Sequence, residues 1–367
     1  MRNFKEDEIL VLLGAGTSCD AGIKNSNQII SDIQYRLEND VKWKKFSQLY
    51  YYVKSIFYQR QLYKGISEKD INFNIENLVS QINAIISIKE KDLEIYSFVG
   101  SWEKDLEPFL SDAKHGNLAV DFKQQIIKAL RGDWLMPTMP KNWIEESVYF
   151  KKLIEFKREY DGCPLKIFTL NYDRCVEQNL KGENVEFGFN DVEKWDSKRY
   201  DYANENKKND YYLYKLHGSI DWKKKKEEQL TQYSGEIDAD DLAIIFGISN
   251  KLQSYDPYLF YFYEFRIHCI KAELVICSGY GFLDGHINDV IKHGFSGNKS
   301  KRLVVNVFEP NRSDTEIKIE ISNRLLIDID QIKLFNKKAK EFYNEDLKLE
   351  QLSILFPDSE QDLPIGI

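Results

Sequence analysis

The sequence has few cysteines, and none of them are closely spaced. Five occur among its 367 residues, and no two form a C-x2-C pair: Cys19, Cys163, Cys175, Cys269 and Cys277. Zinc ribbons and disulfide frameworks both need cysteines at short, regular spacing. The acidic and histidine residues show no HExxH or comparable spacing either. We therefore predict reduced, mostly buried thiols and no bound metal.

The sequence also lacks long apolar runs and an excess of positive charge. No run approaches the ~20 apolar residues that cross a bilayer, and the charged start before a short apolar run does not form a signal peptide. Lys and Arg number 51 against 59 Asp and Glu, which gives a formal net charge of −8. Binding to nucleic acid draws on a basic surface. We therefore expect a cytoplasmic protein without a membrane segment, in which direct nucleic-acid binding is disfavoured.

Short apolar runs that end in glycine or polar turns are frequent. Continuous runs of this kind are typical of strands buried on both faces of a parallel sheet, and several lead into helix-like stretches. They predict an α/β fold with a Rossmann-like, doubly wound parallel sheet. The runs are Ile9–Leu13 and residues 165–170, 211–216, 242–247, 273–279 and 302–308.

Between residues 31 and 160 the apolar residues recur at three and four residue spacing, as in residues 76–88 and 120–135. This period predicts a large helical insertion, and a similar pattern follows Pro310. We expect three parts: a Rossmann-like domain from residues 1–30 and 161–312, an inserted helical cap from 31–160, and a C-terminal helical segment from 313–367. The pattern leaves open whether the insertion covers a pocket or contacts another subunit.

A glycine-rich turn follows the first predicted strand. In GAGTS, residues 14–18, backbone N–H groups and two hydroxyls lie where a buried strand ends and a helix begins, an arrangement that suits a pyrophosphate. Glycines at 14, 16 and 22 fit neither G-x-G-x-x-G nor a P-loop. On its own, the turn is equally well explained as a plain strand-to-helix connection.

Three further polar clusters follow predicted strands. They are TLNYD (residues 169–173), KLHGSIDW (215–222) and SGYGFLDGHIND (278–289). Ligands of doubly wound folds bind at the carboxyl edge of the sheet, where strand ends converge. The clusters and the glycine turn therefore predict one ligand site at that edge.

Together, GAGTSxxxGI, TLNYD, LHGS and GYGFxDxHIN resemble the sirtuin-like family, and in particular the NAD-consuming sirtuin-like domains of bacterial antiphage defence. The resemblance extends from about Ile9 to Pro310 when the insertion is allowed for. It implies that the Rossmann-like domain binds NAD and consumes it as a substrate, so no hydride transfer is expected.

The resemblance also implies roles for individual residues. Asn171 corresponds to an asparagine beside the nicotinamide ribose, Asp173 to an aspartate at the nicotinamide end, and His217 to the general base. The expected cofactor contacts are Gly14, Ala15, Gly16, Thr17 and Ser18 at the pyrophosphate, Gly279 and Tyr280 as a second contact, Asn306 and Glu309 at the adenosine end, and Thr169, Asp284 and His286 in the remaining motifs.

These residue types suit cleavage of the bond between ribose C1′ and nicotinamide. The reaction passes through an oxocarbenium-like state with a good leaving group, so the protein mainly supplies positioning, a base and a polar cage. A histidine accepts a proton near neutral pH, and an asparagine amide both donates and accepts hydrogen bonds.

The sequence departs from the family's deacetylases in two places. It lacks the two cysteine pairs of their zinc module, and Lys24, Asn25, Ser26 and Asn27 replace Pro-Asp-Phe-Arg after Gly-Ile. Both differences favour water over acetyl-lysine as the acceptor, and hence an NAD glycohydrolase. The alternatives are a module that senses NAD or ADP-ribose, and a transferase or deacetylase of the sirtuin type. A nuclease subunit is disfavoured by the acidic balance.

The resemblance further implies a homo-oligomer that works with a separate partner, either a HerA-like ATPase or, alternatively, a short Argonaute-type protein. Asp284 is assigned to the site, and His286 either lines the pocket or caps the next helix. We interpret Trp222 as a packing anchor and His268, in the amphipathic stretch RIHCIKAEL, as structural.

Overall fold

The computed structural model describes residues 2–68, 71–89, 117–160, 162–200, 209–224, 230–233, 235, 237–238, 241–245 and 256–356. Its strands are β1 (Ile9–Leu13), β2 (Leu165–Thr169), β3 (Val185–Glu186), β4 (Tyr211–Lys215), β5 (Gly218–Lys224), β6 (Leu230–Gln232), β7 (Leu242–Ile244), β8 (Leu274–Ser278), β9 (Arg302–Val307) and β10 (Ile332–Asn336).

The helices are α1 (Ser26–Asn39), α2 (Val41–Lys44), α3 (Ser47–Tyr63), α4 (Ile75–Lys89), α5 (Leu118–Ala129), α6 (Trp143–Glu146), α7 (Lys152–Glu159), α8 (Cys175–Asn179), α9 (Tyr258–Lys271), α10 (Gly285–Phe295), α11 (Asp314–Leu325), α12 (Ala339–Glu345) and α13 (Leu349–Ser353). Shorter 3₁₀ turns include Ala15–Ala21 and Ser147–Lys151. In the described part of the chain, no helix is long and apolar enough to span a membrane.

Seven strands form one parallel sheet in the order β10-β9-β8-β1-β2-β4-β3. The chain builds outward from β1 in both directions, so the strand order reverses between β1 and β8. Leu13 lies beside Thr169 of β2 and Ser278 of β8, so three strands end at the same level. The predicted doubly wound, Rossmann-like sheet is confirmed, and its switch point lies at β1 and β8.

The sheet is covered on both faces, which explains why its strands are continuously apolar. Alternate residues of β1 enter two different cores. Ile9, Val11 and Leu13 pack in one core with the helices of the insertion. Leu10 and Leu12 pack in the other, with α9, α10 and α11. Every residue of β1 is no more than 1% exposed.

Two segments differ from the expected fold. Residues 242–247 were expected to add a strand to the parallel sheet, but β7 belongs to a separate antiparallel sheet of three strands in the order β6-β5-β7. The C-terminal segment contains helices as expected, and it also supplies β10 to the edge of the main sheet. An edge strand contacts one neighbour only, so the mixed polar run IKLFN does not carry the apolar signature of a central strand.

The described part of the insertion between residues 31 and 160 contains helices joined by non-helical connections such as residues 71–74 and 137–142. Its aromatic residues pack between helices, as in the stacking of Phe46 on Phe122 with ring centroids 4.8 Å apart. The insertion shares its core with β1. The domain boundaries at residues 30/31, 160/161 and 312/313 stay predictions.

Candidate functional site

A cavity of about 480 Å³ opens at the carboxyl edge of the sheet, above the switch point. Its volume lies in the range of about 300–1,000 Å³ that is usual for small-molecule sites. One wall is built from the ends of β1, β2, β4, β8 and β9, and the other from the insertion. Predicted site residues in the lining are Gly14, Ala15, Gly16, Asn171, Asp173, His217, Gly279, Tyr280, Asp284 and Glu309.

The glycine turns after β1 and β8 are in direct backbone contact. Gly14 N–H donates to Ser278 O and Gly16 N–H donates to Gly279 O, each at 2.9 Å. A Cβ at Gly279, where φ is +64°, would lie 1.9 Å from Thr17 N. The glycines expected to admit a phosphate are therefore required first by the packing of the two turns, and the amides of Gly14 and Gly16 are already used in that packing.

Thr17, Ser18 and Thr169 lie behind the lining and position it. The Thr17 hydroxyl donates to Ser278 O at 2.5 Å. Ser18 Oγ accepts from Asn171 Nδ2 at 3.2 Å, and Thr169 Oγ1 accepts from Asn171 N–H at 3.1 Å. These three side chains are buried, so they support a ligand site without contacting the cavity.

Asn171 lines the cavity and holds a buried, unused acceptor. Its Nδ2 donates to Gly14 O at 3.0 Å as well as to Ser18, and this fixes the orientation of the amide. Oδ1 faces away from these partners, is buried, and accepts no hydrogen bond within the described residues. Burying an unpaired acceptor costs on the order of 1–3 kcal/mol. The arrangement therefore fits a ligand that donates a hydrogen bond at this point.

Asp173 shapes the loop after β2. Its Oδ1 accepts from the N–H of Cys175, the first residue of α8, at 2.9 Å. Lys215 Nζ donates to the Asp173 carbonyl and lies 2.7 Å from Glu177 Oε1. Burial raises the pKa of the Glu177 carboxyl, although the Lys215 charge acts in the opposite direction. These contacts hold the Asp173 carboxylate at the cavity wall.

His217 occupies the tight turn between β4 and β5. Gly218 is essential to that turn, because its φ is +86° and a Cβ there would lie 2.1 Å from Ala243 O. His217 Nε2 lies 3.5 Å from Asp284 Oδ2, and both side chains are 8% exposed. The ring centroid of Tyr172 lies 6.4 Å from that of His217. A buried histidine thus reaches the cavity beside a carboxylate.

The loop after β8 is stabilised by hydrogen bonds among residues of the GYGFxDxHIN motif. The Tyr280 hydroxyl lies 2.8 Å from Asn288 Oδ1 and 3.1 Å from the Asp284 carbonyl, so it faces the loop. Asn288 Nδ2 donates to Phe282 O at 2.8 Å, and Phe282 is left-handed with φ of +54°. Asn288 is the last residue of GYGFxDxHIN and is not among the predicted site residues.

Two of the predicted contacts, His286 and Asn306, lie outside the cavity lining. His286 is half-buried and outside the cavity lining, and its N–H donates to Asp284 Oδ1 at 3.1 Å at the start of α10. Asn306 is 1% exposed. Its Nδ2 donates to Lys337 O at 2.8 Å, and its Oδ1 accepts from Ser278 Oγ at 3.0 Å. Asn306 therefore links β8, β9 and the end of β10. It was predicted to contact the cofactor, but it does not line the cavity.

Glu309 does line the cavity, and its carboxylate pairs with Arg312 at 2.7 Å. Among the described residues, Lys24 is the only Lys or Arg in the lining, and it pairs with Asp32 at 2.6 Å. Against it stand the carboxylates of Glu76, Asp173, Asp284 and Glu309. The cavity wall is therefore mainly acidic.

The insertion supplies residues that no motif indicated. They come from the approach to α4, from α4 itself and from the segment after α5: Asn72, Asn74, Ile75, Glu76, Asn77, Leu130 and Leu135. Asn74 and Asn77 cap the helix reciprocally, with N–H to Oδ1 distances of 3.1 and 3.0 Å. The insertion thus forms one wall of the cavity. Among the described residues, no group of three or more His, Cys, Asp and Glu residues could hold a metal ion.

Several solved structures match the chain at low sequence identity. A Sir2 bound to acetylated peptide is 12% identical, covers 94% of this chain and 93% of that chain, and has a TM-score of 0.40. A Sir2 homolog–NAD complex is 12% identical, with 95% and 90% coverage and a TM-score of 0.41. No curated protein matches the chain. Residues 165–328 match the family model of the SIR2-like domain. The part of the chain that carries Asn171, His217 and Asp284 is therefore similar to the SIR2-like domain family.

Proposed function

We propose that the chain is an NAD⁺ glycohydrolase, which converts NAD⁺ and water into nicotinamide, ADP-ribose and a proton. The observation that carries this proposal is the meeting of Asn171 and His217 in one cavity at the switch point of the sheet. The match to the SIR2-like domain supports it.

The position of the cavity suits a dinucleotide. In doubly wound folds such ligands lie across the point where the strand order reverses. The pyrophosphate would lie near the touching glycine turns, in a lining whose one described cation, Lys24, is paired with Asp32. The nicotinamide half would extend towards Asn171 and His217, and the adenosine half towards Glu309 at the end of β9.

The side chains of the nicotinamide half match the charge that develops. Asp173, Asp284 and Glu76 form an acidic wall, which favours a cationic ring and an oxocarbenium-like state. Asn171 Oδ1 can accept a hydrogen bond from a ribose hydroxyl or from the attacking water. His217 can take the proton that the water or hydroxyl loses.

The insertion favours water as the acceptor. Asn72 and residues 74–77 line the cavity together with the strand ends, so the insertion itself supplies part of the wall. A small acceptor fits such a site better than a protein side chain. Transfer of ADP-ribose to a protein would use the same groups, and product analysis separates the two reactions.

The test is release of nicotinamide from NAD⁺ by purified wild-type protein and by Asn171→Ala and His217→Ala. General acid–base catalysis contributes about 10²–10⁴-fold, so His217→Ala should lose at least about 10²-fold in rate. His293→Ala is the matched control, because His293 is exposed and outside the cavity lining. Full activity of His217→Ala would refute its role as base. Tight binding of NAD⁺ without release by the wild type would favour a sensing module.

We further propose that the protein acts in the cytoplasm in antiphage defence, as a homo-oligomer with a HerA-like ATPase partner or, alternatively, a short Argonaute-type protein. This proposal rests on the resemblance of the motifs. Mass photometry of the chain, alone and with the product of the neighbouring gene, tests it, and monomers in both samples would count against it.

A further inference from the structure

We infer that Asp284 is the positioning residue for His217, and that it selects the tautomer in which Nε2 carries the hydrogen and Nδ1 is the base. The catalytic consequence rests on the proposed function. The arrangement of the two side chains can be measured without it.

The geometry brings the two groups together in a protected place. His217 Nε2 and Asp284 Oδ2 are 3.5 Å apart, and each side chain is 8% exposed. This separation is longer than a normal hydrogen bond but within the range of an ion pair. Catalytic hydrogen bonds are often long without substrate and shorten when it binds.

Asp284 is held so that one oxygen faces His217. Its Oδ1 accepts the N–H of His286 at 3.1 Å, at the start of α10. Its carbonyl lies 3.1 Å from the Tyr280 hydroxyl, which also contacts Asn288. Helix capping and the braced loop therefore fix the carboxylate, and Oδ2 is the oxygen turned towards the imidazole.

The chemistry of the pair then determines the tautomer. A carboxylate only accepts hydrogen bonds, whereas a neutral imidazole has one donor nitrogen and one acceptor nitrogen. A hydrogen on Nε2 satisfies Asp284 and leaves a lone pair on Nδ1. Nδ1 hydrogen-bonds to no group in the described part of the chain, and the ring lines the cavity. The acceptor nitrogen is therefore the one available to a substrate.

The neighbouring Tyr172 does not compete for this arrangement. Tyr172 donates its hydroxyl hydrogen to Ile245 O at 2.8 Å. Burial, together with the charges of Glu76 and Asp284, raises the pKa of Tyr172 well above its usual value, so the phenol stays neutral. Asp284 is thus the carboxylate that contacts the His217 ring directly.

Asp284→Asn tests the inference with little change in shape. Asparagine keeps an oxygen for the His286 N–H but turns an NH₂ group towards His217, so Nε2 must accept and the hydrogen moves to Nδ1. In a Ser-His-Asp triad the same replacement lowers kcat about 10⁴-fold. We expect a loss of kcat of about 10²-fold here, because the pair is longer, with KM changed less than about threefold.

Two variants serve as comparisons. Asp40→Asn is the matched control, because Asp40 also caps a helix, accepting from Lys42 N–H at 2.8 Å, but lies outside the cavity lining. Asp284→Glu keeps a carboxylate and should recover part of the lost rate. Thermal unfolding of each variant checks that the fold persists.

The second readout is the ¹⁵N spectrum of histidine-labelled protein above neutral pH, with the His217 signals assigned from His217→Ala. We expect the Nε2–H tautomer in the wild type and the Nδ1–H tautomer in Asp284→Asn. An unchanged tautomer together with an unchanged rate would overturn the inference. If the wild type releases no nicotinamide, the proposed function fails, and the spectra alone then confirm or refute the pairing.

Discussion

His217 lies at the carboxyl edge of the sheet, whereas His268 lies in α9 beside Asp7, which precedes β1. Both histidines are buried near carboxylates. His268 Nδ1 is 3.5 Å from Asp7 and its Nε2 is 3.5 Å from Glu264, so both nitrogens face acidic groups. Its ring packs against both Phe168 and Tyr214. His217 has one nitrogen beside a carboxylate and a ring that lines a cavity. Burial and a nearby acid are therefore not enough to identify a catalytic histidine. The distinguishing feature of His217 is a ring nitrogen without a carboxylate partner in a ring that lines a cavity.

The two edges are also built differently. At the carboxyl edge, backbone contacts between glycine turns hold β1 against β8. At the amino edge, a buried ion pair connects β2 to the segment before β1. Lys166 is 1% exposed, and its Nζ lies 3.2 Å from Asp7 Oδ1. The first arrangement leaves polar groups for a ligand, and the second uses them internally.

The largest expected effect separates the two histidines. His217→Ala should lower the rate of nicotinamide release at least about 10²-fold with a small change in stability. His268→Ala should lower the free energy of unfolding by about 1–3 kcal/mol and leave the rate of the folded protein within about threefold, because it removes buried packing away from the cavity. Rate assays and denaturant unfolding of both variants check this. A loss of catalytic rate in folded His268→Ala would contradict the purely structural role of His268.

Gly279→Ala should disrupt the carboxyl edge. The new Cβ would lie 1.9 Å from Thr17 N at a φ of +64°. Overpacking and the left-handed backbone together should cost about 3 kcal/mol or more. Gly297→Ala is the matched control, since Gly297 has a φ of +77° with no atom within 4 Å of the added Cβ. Chemical denaturation compares them, and equal losses would show that the contact between the turns does not matter.

Asp7→Asn should weaken the amino edge. Asparagine tolerates the left-handed backbone at this position, where φ is +68°, but it leaves Lys166 without the charge of Asp7. We expect a loss of about 2–3 kcal/mol, below the range for a fully buried pair because the Asp7 side chain is 20% exposed. Denaturant unfolding measures the loss. A folded variant with a lowered catalytic rate would contradict the separation of the two edges.

The smallest effect is a pH dependence at the same edge. Burial alone would raise the pKa of Asp7, but the charges of Lys166 and His268 and hydrogen bonds from Lys271 and Lys166 outweigh it and hold the pKa below its usual value. The group therefore stabilises the fold above the ordinary aspartate pKa of about 3.9 and loses that effect as pH falls through its own lower pKa. Unfolding between pH 2 and 6 should be less pH-dependent in Asp7→Asn, by about 1 kcal/mol or less.

The central strands were predictable because burial on both faces leaves a mark in the sequence. β1 lies where its apolar run predicted, and the run at residues 165–170 differs from β2 only at its end. β7 has a similar run but belongs to another sheet, since a local pattern does not specify the partner strand. β10 was not predicted because an edge strand pairs with one neighbour only and need not be continuously apolar.

The site was predictable where residues follow strand ends. Asn171, His217 and Asp284 do meet in one cavity, because parallel strands bring their carboxyl ends together. Asn306 was also predicted at the site, yet it lies within β9 and its side chain is used between strands. Glu76 and its neighbours were missed because their approach to the cavity depends on how the insertion packs, which no local motif encodes.

The most direct test of the account is the product composition after wild-type protein is incubated with NAD⁺ and separated by chromatography. We predict equal amounts of nicotinamide and free ADP-ribose, with both absent in His217→Ala. Intact NAD⁺ that stays bound, or nicotinamide released while ADP-ribose remains attached to protein, would contradict hydrolysis at this site.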